Sequence, residues 1–128
     1  MIGERGQALV LAVLALALAA TTIVGLEAAQ DRILADAQER RAGEAAVEAA
    51  GAALADALLA STGPLDEFVA DPLVIERTLA AADGLSAANG GAPVRDLTVS
   101  LGPRALDVAL MVGAHRQRAS IGTACCRR

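Results

Sequence analysis

From Gly6 to Leu26 the chain carries no charged residue, and Ala8–Leu26 reads ALVLAVLALALAATTIVGL. As a helix these nineteen residues span ~28 Å at ~1.5 Å per residue, close to the ~30 Å of a bilayer's hydrocarbon core. Ten of them are Leu, Val or Ile, and at roughly −0.3 to −0.6 kcal/mol each near the bilayer centre they favour insertion. The pattern predicts a transmembrane span over 8–26. Two other readings compete: a signal peptide cleaved after Ala19, and a buried helix of a soluble protein. Ala17-Leu18-Ala19 has the small-x-small form of a cleavage site. Against cleavage stand Glu4 beside Arg5 ahead of the run and its continuation through Ile23, Val24 and Leu26. Arg5 on one side and Arg32, Arg40 and Arg41 on the other leave the positive-inside count undecided.

Within the span, Ala8, Ala12, Ala15, Ala19 and Thr22 recur in steps of four and three. At 3.6 residues per turn these positions share one narrow face. Small residues so spaced let helix backbones approach closely inside a bilayer. This stripe is the candidate helix-packing face.

No proline interrupts the chain before Pro64, and Leu26–Ala60 is rich in the good helix formers Ala, Glu, Gln, Arg and Leu. One helix is therefore expected to run from about Gln7 to Ala60; Gly43 and Gly51, each costing about 1 kcal/mol relative to alanine, leave its continuity at those two positions open. Leu26, Ile33, Val47 and Leu54 recur in steps of seven, interrupted by Arg40. This apolar line needs a partner surface, either the chain's own C-terminal part or a neighbouring subunit.

Ser61-Thr62-Gly63-Pro64 is a helix stop. Asp71-Pro72 supplies an N-cap and first helical residue for a short helix to about Ala82, ended by Asp83-Gly84. Residues 85–93, with Asn89-Gly90-Gly91 and Pro93, read as a flexible loop. The period then changes to two. Leu97, Val99 and Leu101 alternate with Asp96, Thr98 and Ser100, and Leu106, Val108, Leu110 and Val112 with Asp107, Ala109 and Met111. Two strands joined across Gly102–Ala105 form a hairpin with one apolar face. A third strand over Gln117–Ala124 is weakly patterned. A hairpin alone is marginal in water, so it is expected to bury its face on the long helix.

The expected fold class is α+β: a long N-terminal transmembrane helix extending into a soluble helix, then a short helix and a small antiparallel β-hairpin or meander. Residues 1–60 form the anchor and helical stalk, 61–92 a linker with the short helix, and 93–128 the β region.

Composition narrows the chemistry. The chain has 128 residues, of which 32 are alanine and one, Phe68, is aromatic. Alanine buries little area, so a compact soluble core would be thin. A net charge of −4 argues against nucleic-acid binding. Cys125 and Cys126 are adjacent, which rules out a zinc site by spacing and strains a mutual disulfide. His115, the single histidine, reads as a surface or strand-edge residue, since no candidate catalytic or metal-ligating residue shows a spacing that converges on it. Asp66, Glu67 and Asp71 read as solvated or capping carboxylates. Arg116, Arg118, Arg127 and Arg128 read as a solvated basic tail. No nucleophile elbow, phosphate-binding loop or metal cluster is present in the sequence. The expectation is a protein without catalytic, metal or cofactor residues, without a small-molecule substrate, and not an enzyme.

Glu4-Arg5-Gly6-Gln7 before the apolar run, and RRAGEAAVEAAGAAL over Arg40–Leu54, resemble the TadE/TadG-like family, pilin-like components of tight-adherence (Tad/Flp) pilus systems. Its members open with a charged residue, Arg-Gly-Ser or Arg-Gly-Gln and a hydrophobic helix, followed by an Ala- and Arg-rich segment. The resemblance covers residues 4–54. It implies a single-pass protein of the inner membrane, its C-terminal domain periplasmic or extracellular, with membrane lipid and other pilin-like subunits or pilus assembly proteins as partners. The chain departs from peptidase-processed pilins: Gly3 is followed directly by Glu4, and no glycine before the span has a glutamate five residues later. That favours an unprocessed, TadG-like protein. The alternative from another class is a small secreted binding module released after Ala19.

Overall fold

The computed structural model describes residues 2–123. Cys125, Cys126, Arg127, Arg128 and the last position of the expected third strand, Ala124, lie outside them. The architecture is α+β. Helix α1 spans Ile2–Ala60, α2 spans Leu65–Ala70 and α3 spans Pro72–Ala88. Strands β1 (Val94–Leu101), β2 (Ala105–Val112) and β3 (His115–Gly122) form an antiparallel sheet in the order β1-β2-β3. The chain divides into two compact units, Met1–Asp36 and Ala37–Arg128.

In the second unit α1 presents small residues to the sheet. Ala42, Ala46, Val47 and Ala50 form a buried cluster with Ala82 of α3 and Val108, Leu110 and Val112 of β2. Leu54 and Leu58 continue the stripe into a second cluster with Phe68, Val74 and Leu106. The chain's own C-terminal part thus covers the apolar line from Val47 onward, whereas Leu26 and Ile33 stay exposed. The helix is continuous through both Gly43 and Gly51, the two positions the sequence left open. Gly43 is buried where β3 approaches: a Cβ there would lie 3.0 Å from Gln117 Cγ and 3.6 Å from Val112 Cβ. The missing side chain makes room for the sheet.

The Ser61–Pro64 stop holds, but a turn of helix, α2, follows it at once and buries Phe68. Asp71 caps α3 as expected: its carboxylate accepts from the Leu73 backbone N–H at 2.9 Å, with Pro72 next in the chain. The end of α3 differs. The helix passes through Asp83-Gly84 and ends at Ala88. Its buried positions, Val74, Thr78, Ala82 and Ser86, recur every four residues, so stopping at Ala82 would forfeit a turn of packed helix. Asn89-Gly90-Gly91 is the cap of α3 and not a flexible loop. The Gly90 N–H donates to Ala87 O and the Gly91 N–H to Ser86 O, both at 2.9 Å, with Gly90 at φ +71°. The Ser86 hydroxyl donates to Ala92 O at 2.7 Å, and the Asp83 carboxylate accepts from the Val94 N–H at 2.9 Å. These bonds lead the chain from α3 into β1.

Strand β1 starts at Val94, two residues before the alternation that opens at Asp96. Asp96, at φ +53°, sits in a bulge: Arg95 pairs with Met111 and Thr98 with Ala109, so two residues of β1 oppose one of β2. The extra residue lets both Val94 and Leu97 pack against the core. Leu101, expected on the apolar face, is exposed at the strand end. The weakly patterned third strand is fully formed and begins earlier than expected, at His115. Gly113, at φ +58°, occupies the turn between Val112 and its partner His115, a backbone state glycine reaches at no steric cost.

Candidate anchoring and interaction surfaces

Residues 6–26 belong to the one helix long and apolar enough to cross a membrane among the described residues. All ten Leu, Val and Ile side chains of 8–26 are exposed, between 56% and 76%. None of the most apolar window of this helix is buried, unlike a core helix of a soluble protein. The two polar side chains of the span are satisfied internally. Thr21 donates to Ala17 O at 3.0 Å and Leu18 O at 2.9 Å, and Thr22 to Leu18 O at 2.7 Å and Ala19 O at 2.9 Å. Backbone acceptors of the same helix therefore take up hydroxyls that hydrocarbon could not solvate.

Ala8, Ala12, Ala15, Ala19 and Thr22 all lie on α1 and are exposed. With its hydroxyl turned back on the helix, Thr22 presents a small profile like the alanines. The stripe carries on along α1 through Leu26, Ala29 and Ile33 at the same steps of four and three.

The sheet has a second surface, opposite to the one packed on the helices. Three rows cross it: Arg95, Met111 and Arg116; Thr98, Ala109 and Arg118; Ser100, Asp107 and Ser120. Asp107 accepts a hydrogen bond from the Ser120 hydroxyl, and Arg95 Nη2 donates to Gly113 O at 3.1 Å. Arg95, Arg116 and Arg118 are exposed. Arg116 and Arg118 are not part of a tail: alternate positions of one strand place them on the same face, beside Arg95 from β1. Sequence reasoning missed this cluster because it needs the β1–β2–β3 register. Its one local signal was the alternation in His115-Arg116-Gln117-Arg118.

His115 is half-buried at the start of the edge strand, and Asp66 and Glu67 are exposed in the first turn of α2. Among the described residues no group of three His, Cys, Asp or Glu side chains could hold a metal ion. No known protein family, curated protein or solved structure matches the chain.

Proposed function

We propose that the protein is a membrane-anchored, pilin-like structural or assembly component of a Tad/Flp-type pilus or secretion system. Residues 8–26 hold it in the inner membrane, its C-terminal unit lies on the periplasmic or extracellular side, and the Ala8/Ala12/Ala15/Ala19/Thr22 face meets other helices. The observation that carries the anchor is the uncharged run whose ten aliphatic side chains all stand exposed. In water that surface is costly at ~25 cal/mol per Å²; in lipid it is at home. The resemblance of residues 4–54 to TadE/TadG-like proteins supports the pilus assignment.

Ala17-Leu18-Ala19 keeps a second reading open, a binding module secreted after cleavage at Ala19. Carbonate-washed membranes, N-terminal sequencing of the native protein and affinity capture from its own cells separate the two. The anchored component stays in the washed membrane with residues 1–19 attached and co-purifies with pilus machinery. A mature start at Ala20 supports the secreted module, and recovery from the soluble cytoplasm defeats both.

A further inference from the structure

The unit Ala37–Arg128 carries opposite charge on its two sides. Its helical segments, residues 37–88, hold nine acidic residues against three arginines, a balance of −6. Residues 94–122, the strands and their turns, hold four arginines against two aspartates, a balance of +2. On the helical side Glu44 and Glu48 are exposed one turn apart on α1, turned away from the buried Ala46, Ala50 and Leu54. Arg40 and Arg41, both exposed, lie four and three residues before Glu44 on the same helix, so Glu48 is the less compensated of the two. On the sheet's outer surface Arg95, Arg116 and Arg118 surround Met111 and Ala109. The carboxylate of that surface, Asp107, is engaged by Ser120.

The spacings match. Glutamates four apart on a helix lie about 5–6 Å from each other at Cβ, and alternate residues of a strand lie about 6.6–6.8 Å apart. We propose that the outer sheet face, through Arg95, Arg116 and Arg118, docks on the acidic α1 face, at Glu44 and Glu48, of a second copy of this chain. The chain itself supplies both halves of the charge complement, always in equal amount. Because the two patches lie on different sides of the unit, each docked copy keeps one patch unused. Such a heterologous contact continues into a ring or an open filament and does not stop at a dimer.

Exposed ion pairs are individually weak and are screened by salt, with a Debye length of about 10 Å at 0.1 M and about 3 Å at 1 M. The contact therefore depends on several pairs acting together and on local concentration. Confinement of copies to one membrane raises that concentration; this last point rests on the anchored reading, whereas the charge complement does not.

The test uses the full chain in non-ionic detergent micelles, followed by sedimentation velocity. Wild type is expected to self-associate at about 0.1 M salt and to separate at about 1 M. R116E/R118E and E44R/E48R should each weaken association about tenfold or more. An equimolar mixture of the two should regain it, since the acidic altered sheet face of the first complements the basic altered helix face of the second, and the two unaltered faces complement each other as in the wild type. Rescue also shows that neither variant failed by misfolding. Wild type that stays monomeric at low salt overturns the proposal. So does association that survives both charge swaps, which would assign it to the anchor helix, or a mixture no better associated than its components. Membrane fractionation and capture of pilus proteins report on the proposed function separately, so the two ideas fail independently.

Discussion

At the residue scale the close approach with the least room to give is where Gly91 meets the Ala42 Cβ of α1. A Cβ on Gly91 would collide with the Ala42 side chain and lie 2.7 Å from Ser86 Oγ. The Ser86 hydroxyl is itself tied to Ala92 O, so it cannot swing away without breaking a partly buried hydrogen bond. Gly91→Ala is expected to destabilise the second unit by about 1–3 kcal/mol, the usual cost of overpacking. Gly51 is the control. Nothing lies within 4 Å of its Cβ position, and it sits mid-helix, so Gly51→Ala should stabilise by about 1 kcal/mol. Thermal melts of the full chain in detergent, followed through the strand signal, check both; equal effects of the two changes would remove the steric account. The sequence marks Asn89-Gly90-Gly91 as irregular for a sound reason, since glycine permits φ > 0. It does not show that Ala42, far away in the chain, fills the space above Gly91.

Local pattern and tertiary packing compete at the level of elements. The apolar run, the stop at Ser61–Pro64, the Asp71-Pro72 cap and the alternation through β2 are legible because one short stretch contains all the information each requires. The end of α3 is not. Asp83-Gly84 is a poor helical pair by propensity, at about 1 kcal/mol for the glycine, yet the burial of Ala82 and Ser86 and the glycine cap beyond them outweigh it. The bulge at Asp96 likewise hides Val94 from any count of alternate residues. For α1, the small-residue stripe is legible, and it stays exposed along the helix. Replacing Ala12 and Ala15 with leucine should weaken self-association of residues 8–26 in a membrane-dimerisation assay, because larger side chains hold the backbones apart. Undiminished association would discard that face.

At the scale of the whole molecule, the proposed anchor sets a prediction of its own. Ten aliphatic residues at about −0.3 to −0.6 kcal/mol each give the span an insertion preference of only a few kcal/mol. One arginine near the bilayer centre costs about 2.5–3.5 kcal/mol on the same scale. Leu16→Arg is therefore expected to shift much of the protein out of carbonate-washed membranes, whereas Leu59→Arg, at an exposed position on the last turn of α1, should leave the distribution unchanged; immunoblots of the fractions read both. The long apolar helix was legible at this scale because hydropathy is a property of consecutive residues. The arginine face was not, because β1 and β3 contribute to it from either side of β2. That same sheet leaves β3 at its rim, and the rim of a sheet is the kind of template on which neighbouring polypeptides stack into insoluble ribbons. Bulky cations at alternate positions of the rim make such stacking self-repelling, so crowding many copies together need not end in precipitation.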